Sequence, residues 1–487
     1  MSSKDKFCPP LPAPTNPILT VSTESELRQL AHDAAPGTTI LIKPGRYDLS
    51  SFIHIVNKDI SLRGSTGDRN DVILDFGGKS SDNFGILVEA DDTTIADLTI
   101  RNSSDHGISI QGVDRPTLYN LHVLDTFDQL IKVNPAADGS EDGLLACSRL
   151  EYTTTASDDY TNGISAHQAH RWVVRDNQWY RIRGINSTTG PTILFWSGST
   201  DTIVERNLIV DSYRGIAFGN PSHNDIDHTG GIVRNNMIYF SQEHDVAIEM
   251  THAQGWLVAY NTALLSNPNT GLTWGMEARY VDSQGTFAYN LTNMSIWADR
   301  DGAQGVVTGN LTSAQPSWFI EPQIADLHLR ETTVNAIDQG SAIPQVITDY
   351  DGDIRPIGPA PDIGADEFST SFPSTRAVTD LQISGFLIPD ALHATLTWTS
   401  PPRAVTTTLR YTYTHITEGN WEAAYLLTDS LPGDNGTYQT NIPIINQTVF
   451  VALKTQDTEG AWSPLSNNVF WPQQKTWLPL IFKDDDP

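Results

Sequence analysis

An asparagine that returns at near-constant spacing is the feature of this sequence that most restricts its fold. "WVVRDNQW", "IVERNLIV", "GIVRNNMI", "WLVAYNTA", "GTFAYNLT" and "GVVTGNLT" place Asn177, Asn207, Asn236, Asn261, Asn290 and Asn310 in one frame. Each has Val or Phe three residues earlier: Val174, Val204, Val233, Val258, Phe287 and Val307. The successive spacings are 30, 29, 25, 29 and 20 residues. A repeat of that length, carrying two or three short strands, matches one coil of a parallel β-solenoid. Asparagine at a bend tolerates left-handed backbone angles, and its amide can bond to the same residue one coil away. The repeat therefore predicts a stacked asparagine ladder.

A second pattern fixes the expected register. Aligning "HGISIQG", "DQLIKVN", "NGISAHQ", "TILFWSG", "RGIAFGN", "VAIEMTH" and "GMEARY" sends Ile108, Ile131, Ile164, Ile193, Ile216, Ile248 and Met276 inward as one column. Ile110, Val133, Ala166, Phe195, Phe218, Met250 and Ala278 form the next. Side chains alternate between faces along a strand, so the column between them points outward: Ser109, Lys132, Ser165, Leu194, Ala217, Glu249 and Glu277. A second outward column reads Gln111, Asn134, His167, Trp196, Gly219, Thr251 and Arg279, and a third His106, Gln129, Asn162, Pro191, Arg214 and Val246. On this reading Lys132 points to solvent, on a polar face that also carries His, Trp and Arg.

Composition agrees with many short strands and turns. The 487 residues exceed one ordinary core, and only 18% are charged while 39% are apolar. The 30 Lys and Arg against 58 Asp and Glu give a formal charge of −28. That balance argues against nucleic acid or an anionic membrane as partner, and it stands in tension with a polyanionic sugar. Cys8 and Cys147 are too few for a disulfide framework or a cysteine-based zinc site, which leaves the redox compartment open. The opening "MSSKDKFCPPLPAPTNP" has no apolar signal core, and no apolar run reaches about 18 residues, so no transmembrane segment is expected. A removed export signal is compatible with this opening.

The ladder, the columns and two end motifs together resemble the right-handed parallel β-helix family of pectate lyases, chondroitinase B, alginate lyases and epimerases, and polygalacturonases. "VSTESELRQLAHDAAPGTTILIKPGRYDL" is similar to the family's entry, where an amphipathic helix plugs the first coil. "DYDGDIRPIGPAPDIGADEF" is similar to the closing segment of many bacterial secreted β-helix proteins and marks a boundary near Phe368. After a Ser/Thr/Pro linker, "ATLTWTS", "TLRYTYTH" and "TVFVALKTQDTEGAWSP" alternate as in a seven-strand sandwich. They resemble a fibronectin type III module with Trp398 and Tyr411 in its core. The expected organisation is an all-β chain: residues 1–20 a leader, 21–368 the parallel β-helix with its helical cap, 376–472 the sandwich, and 473–487 a tail. The tail "WLPLIFKDDDP" reads as an export or surface tag, or as an extra strand.

The resemblance implies a secreted or cell-surface, monomeric protein that binds a polysaccharide along the polar face, where Trp196 can stack on a sugar ring. Lyase chemistry needs a base for the proton α to a uronate carboxylate and a positive group for the enolate-like charge that develops. Lys132 or His167 suits the first role and Arg214 the second. His106, Gln129, Asn134, Asn162, Trp196, Glu249, Glu277 and Arg279 are expected to contact substrate. Asp105, Asp125 and Asp128 offer hard oxygens for Ca2+, which would ease the charge conflict with an anionic glycan.

Other chemistries fit parts of the pattern. Glu249 and Glu277 occupy one outward column on adjacent coils, and paired carboxylates at about 5 Å would serve a retaining glycoside hydrolase. The clustered aspartates and Gly-His-Gly of polygalacturonases are missing, and "RIRG" at Arg181 to Gly184 is only an echo of their Arg-Ile-Lys stretch. "SDHGI" at Ser104 to Ile108 lacks the proline and second aspartate of the alginate C5-epimerase motif. His228 and His244 read as structural or solvent-exposed loop histidines. A non-catalytic glycan-binding surface protein is the third class, set against the variety of reactive side chains on one strip.

Overall fold

The computed structural model describes residues 8–78, 84–135, 139–186, 189–267, 274–369, 378, 381–388, 391–400, 404–433, 435–443, 447–456, 462–463 and 465–471. The chain forms two compact units, Phe7–Ser369 and Thr370–Pro487 together with the first six residues. Residues 370–375 of the expected linker, the first two residues of the expected sandwich and the tail 473–487 lie outside the described residues.

Phe7–Ser369 is a right-handed parallel β-helix, its strands stacked in three parallel sheets of 16, 10 and 10. The expected register holds on the sheet that carries the polar face. Ile108 pairs with Ile131, Ser109 with Lys132, Ile131 with Ile164, His167 with Trp196, and Glu249 with Glu277. The inward columns are closed to solvent, with Ile108, Ile131, Ile164, Ile193 and Ile248 all at 0% exposure. Each such isoleucine contributes about 1.5–3 kcal/mol of burial, which is what locks the register.

The asparagine ladder is present and fully bonded. The oxygens of Asn207, Asn236, Asn261, Asn290 and Asn310 each accept from the backbone N–H of the asparagine one coil back, at 3.2, 2.9, 3.0, 2.9 and 2.9 Å. The same oxygens accept from the preceding side-chain amides at 2.7–3.1 Å. Ser148 continues the run, its N–H donating to Asn177 and its hydroxyl accepting from the N–H of Leu121. The left-handed positions are the residues before each asparagine, not the asparagines themselves: Asp176, Arg206, Asn235, Tyr260, Tyr289 and Gly309 all have φ between 51° and 60°. The turn is thus made one residue earlier than expected, which frees each amide to point inward.

Both ends of the coil stack are covered by other elements. The helix Glu24–Asp33 is capped by the Thr23 hydroxyl and buries Leu27 and Ala31 against the first coil. Residues after Ala314 wrap the other end, with Phe319, Leu327 and Ala365 in one buried cluster. The segment expected as a leader behaves differently. Cys8 forms a disulfide with Cys147, Tyr119 donates to the Pro9 carbonyl at 2.6 Å, and Arg63 donates to that of Pro12 at 2.8 Å. Residues 8–12 are therefore a strap fixed to the outside of the helix.

In the second unit, antiparallel strands make two sheets of a β-sandwich. Gln382–Ile388, Ala391–Thr397 and Thr437–Pro443 form one. Tyr425–Pro432, Thr406–Thr412, Val449–Gln456 and Val469–Trp471 form the other. Trp398 and Tyr411 are buried among Leu392, Leu396, Leu409 and Val451.

Candidate functional site

The outward face of the Ile131–Asn134 strand differs from expectation in one respect. Lys132 does not stand in solvent: its Nζ meets residues of the next coil, and only 5% of the residue is exposed. Nζ lies 3.0 Å from His167 Nε2 and donates to Ser165 Oγ at 3.3 Å. Neither partner is charged like a carboxylate. Burial accordingly pulls the ammonium pKa down to about 8, with Asp128 and Asp105 opposing from a distance. His167 is pushed down to about 4 by burial, with Lys132 and His223 adding to it. At neutral pH it is an uncharged imidazole, and in the tautomer protonated on Nδ1 its Nε2 accepts from the lysine.

Trp196 walls one side of Lys132. Its indole N–H donates to Ser165 Oγ at 3.3 Å and its ring meets His167 edge-on at 4.3 Å. The His223 ring packs against Trp196 at 4.9 Å, and its Nδ1 lies 2.7 Å from a buried carboxylate, Asp227. Asp227 also accepts from the N–H groups of Ser197 and Asn220, so it ties the 219–227 loop to the end of the strand that carries Trp196. Sequence reasoning singled out neither residue. His223 sits in an insertion between coils, "GNPSHNDIDH", where no column register applies.

On the other side, one ligand atom each from Asp105, His106 and Asp128 converge within 4.8 Å. Asp128 is raised to about 6, first by burial and then by Asp105 and Asp158. His106 is held near 3 by burial and by Lys132, so its ring is neutral; its Nδ1 lies 3.1 Å from Asp105 without the alignment of a hydrogen bond. Crowded carboxylates beside a neutral imidazole fit a divalent cation, which would relieve their repulsion. Asp125 is not part of this group. Both of its oxygens are taken by Thr153, from the N–H and the hydroxyl at 2.8 Å each, because its left-handed backbone turns it outward. Gln129 and Asn162 are buried in the floor, bonded to the carbonyls of Tyr160 and Pro191, while Asn134 is half-buried at the edge.

Arg214 is placed on the same face but is not beside Lys132 in function. It is ion-paired with the buried Glu249, and its Nε lies 3.2 Å from Asp245. Glu277 is paired with Arg300 at 2.6 Å, a residue not foreseen, whose guanidinium lies over the Trp274 ring at 4.0 Å. Arg279 reaches Asp301 at 2.9 Å and Glu249 at 3.9 Å. The two acids expected as the paired carboxylates of a glycoside hydrolase thus belong to a network in which each holds an arginine. His228 and His244 are 1% exposed and stack on Phe218 and Phe240 at 4.0 and 3.9 Å, so both are part of the packing.

No protein-family model matches this sequence, and no curated protein matches it. Solved structures do. The pectate lyase Pel9A aligns with 76% of this chain and 100% of its own, with a TM-score of 0.52 and 13% identity. An alginate lyase from Paenibacillus sp. str. FPU-7 aligns with 60% of this chain and 99% of its own at a TM-score of 0.44 and 18% identity. A tailspike protein mutant of E. coli bacteriophage HK620, in complex with a pentasaccharide, aligns with 92% of this chain and 86% of its own at 0.42 and 12%. The first likeness is to a parallel β-helix, in agreement with the stacked sheets; at such identities it is a likeness of fold.

Proposed function

We propose that this protein is a polysaccharide lyase that cleaves a uronate-containing glycan by β-elimination, with Lys132 as the base. The observation that carries the reading is a lysine 95% buried on the outward face of a sheet whose hydrogen-bond partners, among the described residues, are a hydroxyl and an imidazole, without an ion pair. A lysine kept that way costs stability, and what it provides is an amine that is partly free near neutral pH.

In the proposed step, the Lys132 amine takes the proton α to the uronate carboxylate. The C–H electron pair becomes the ring double bond, and the glycosidic C–O bond breaks with its electrons on the departing sugar oxygen, which then takes up a proton. His167 accepts a hydrogen bond from Nζ and aims it. Trp196 and His223 offer flat faces to the sugars. Asp105 and Asp128, with His106 beside them, would hold the Ca2+ expected from the sequence, and that ion would supply positive charge to the substrate carboxylate. Arg214 and Arg279 reach the substrate only as members of the Glu249 network.

The test is incubation of the full chain with a panel of uronate polymers, with and without a chelator. An ultraviolet absorbance rise from an unsaturated product supports the proposal. New reducing ends without that chromophore would transfer the activity to a hydrolase, and binding without turnover would make this a glycan-binding surface protein.

A secreted or cell-surface location is part of the same proposal. The Cys8–Cys147 disulfide supports it, because such bonds persist in oxidising compartments. We further read the C-terminal sandwich as a fibronectin type III-type module, supported by its three-plus-four division and strand order. Recovery of the protein outside the cell with both thiols blocked to alkylation checks the location.

A further inference from the structure

The closing segment "DYDGDIRPIGPAPDIGADEF" concentrates acids that the groove does not use, and most of them are spent on the backbone. Asp349 accepts from the N–H groups of Asp351, Asp353 and Glu367 at 2.9, 2.7 and 2.9 Å. Asp362 accepts from those of Asp338 and Phe368, and Glu367 from those of Ile357 and Asp362 while pairing with Arg355. These carboxylates are caps that hold an irregular loop together.

Three further side chains come together at one point. One donor atom each from His328, Asp351 and Asp366 lie within 4.8 Å of one another, and Asp351 and Asp366 are 4% and 3% exposed. His328 Nδ1 is 2.5 Å from Asp326 Oδ1, which directs the other ring nitrogen toward Asp351 Oδ2, 2.7 Å away. Asp366 is fixed by the Leu329 N–H on Oδ2, yet its Oδ1 is buried with no hydrogen-bond partner. A buried carboxylate oxygen left unbonded costs a large desolvation penalty, and one facing an imidazole and a second carboxylate is placed as a ligand rather than as a cap.

We propose that His328, Asp351 and Asp366 bind a divalent transition metal of the zinc class, a structural ion that clamps the closing segment to the strand Asp326–Leu329. An imidazole with two carboxylates suits zinc, whereas Ca2+ takes six or more oxygens that this set does not supply. Asp326 behind His328 is the outer carboxylate that metal-bound histidines use to fix their tautomer. Binding displaces the proton shared by His328 and Asp351 and releases it to solvent; the two donor atoms then spread from 2.7 Å to about 3.3 Å to admit the ion. The site is independent of the groove and of the reaction proposed there.

The test uses the full chain, without a histidine tag, purified without chelator and dialysed. Elemental analysis is expected to find about one equivalent of zinc per chain, retained in Asp128→Asn and lost in Asp366→Asn. Stripping the metal is expected to lower Tm by several degrees, and added Zn2+ to restore it, in the wild type and in Asp128→Asn. Should Asp366→Asn fail to fold, the stripped wild type still decides the matter. A wild-type protein that retains no zinc and whose Tm ignores added Zn2+ overturns the proposal, as does zinc retained by a folded Asp366→Asn.

Discussion

Two ends of one outward column treat buried charge in opposite ways. At one end Lys132 is 5% exposed and touches a hydroxyl and an imidazole; at the other Glu249 and Glu277 are 1% and 2% exposed and each holds an arginine. Burial disfavours the charged form of any group unless an opposite charge compensates it. The lysine lacks that compensation at close range, and its pKa falls to about 8. Arg214 supplies it to Glu249. The comparison separates a lysine without an opposite charge at close range from two carboxylates that each hold an arginine, although all three stand on the same sheet face, and burial still raises the Glu277 pKa against the pull of Arg300.

The sharpest way to break this contrast is Lys132→Ala. It is expected to lower kcat/KM on the uronate polymer by about 10³-fold, measured as initial rates of unsaturated product, with the fold intact by circular dichroism. Full turnover in that variant would leave the lysine without a catalytic role. At the opposite end, Glu249→Gln is expected to act on stability: it leaves the half-buried Arg214 with Asp245 as its remaining acidic partner and lowers the unfolding free energy by about 2 kcal/mol in denaturant titration. A folded Glu249→Gln that loses turnover as severely as Lys132→Ala would move the chemistry to the carboxylate end.

The pH profile sharpens the same contrast. A lysine base must be neutral, so kcat/KM is expected to rise about tenfold per pH unit from pH 6 and to level off above about 8. The linked stability has a definite sign. Because the folded-state pKa lies below the unfolded value, the unfolded chain binds more protons between about 8 and the ordinary lysine value, and unfolding free energy gains from this group as pH rises through that window. Urea midpoints across it check the direction. The smallest effect is expected from His167→Ala, which admits water to Nζ, weakens the burial that depresses its pKa, and moves the rising limb to higher pH. Glu277→Gln should leave that limb in place.

Much of the fold was legible. Ile131 and Ile164 could be assigned to one column because a parallel solenoid stacks like on like, and a one-residue slip would send polar side chains into the core. The ladder was legible because a buried amide must be bonded and its repeat neighbour is the nearest partner. The placement of Lys132 and His167 side by side followed from the same register, as did that of Glu249 beside Glu277. Residues outside the register were not legible. His223 and Asp227 belong to an inserted loop, Arg300 enters where the pairing shifts beyond Glu277, and the acidic loop after Tyr350 closes on His328 through irregular backbone. The cysteines show the same limit, since 139 residues separate Cys8 from Cys147 and no period links them.

The sequence by itself determined the winding, the register and which side chains share a face, because those follow from a repeat in apolar and amide positions that only one stacking satisfies. The tertiary structure alone decided which of those side chains carry an uncompensated charge. That depends on how deeply each is covered and on whether a partner reaches it from another loop, and neither is encoded in the spacing along the chain.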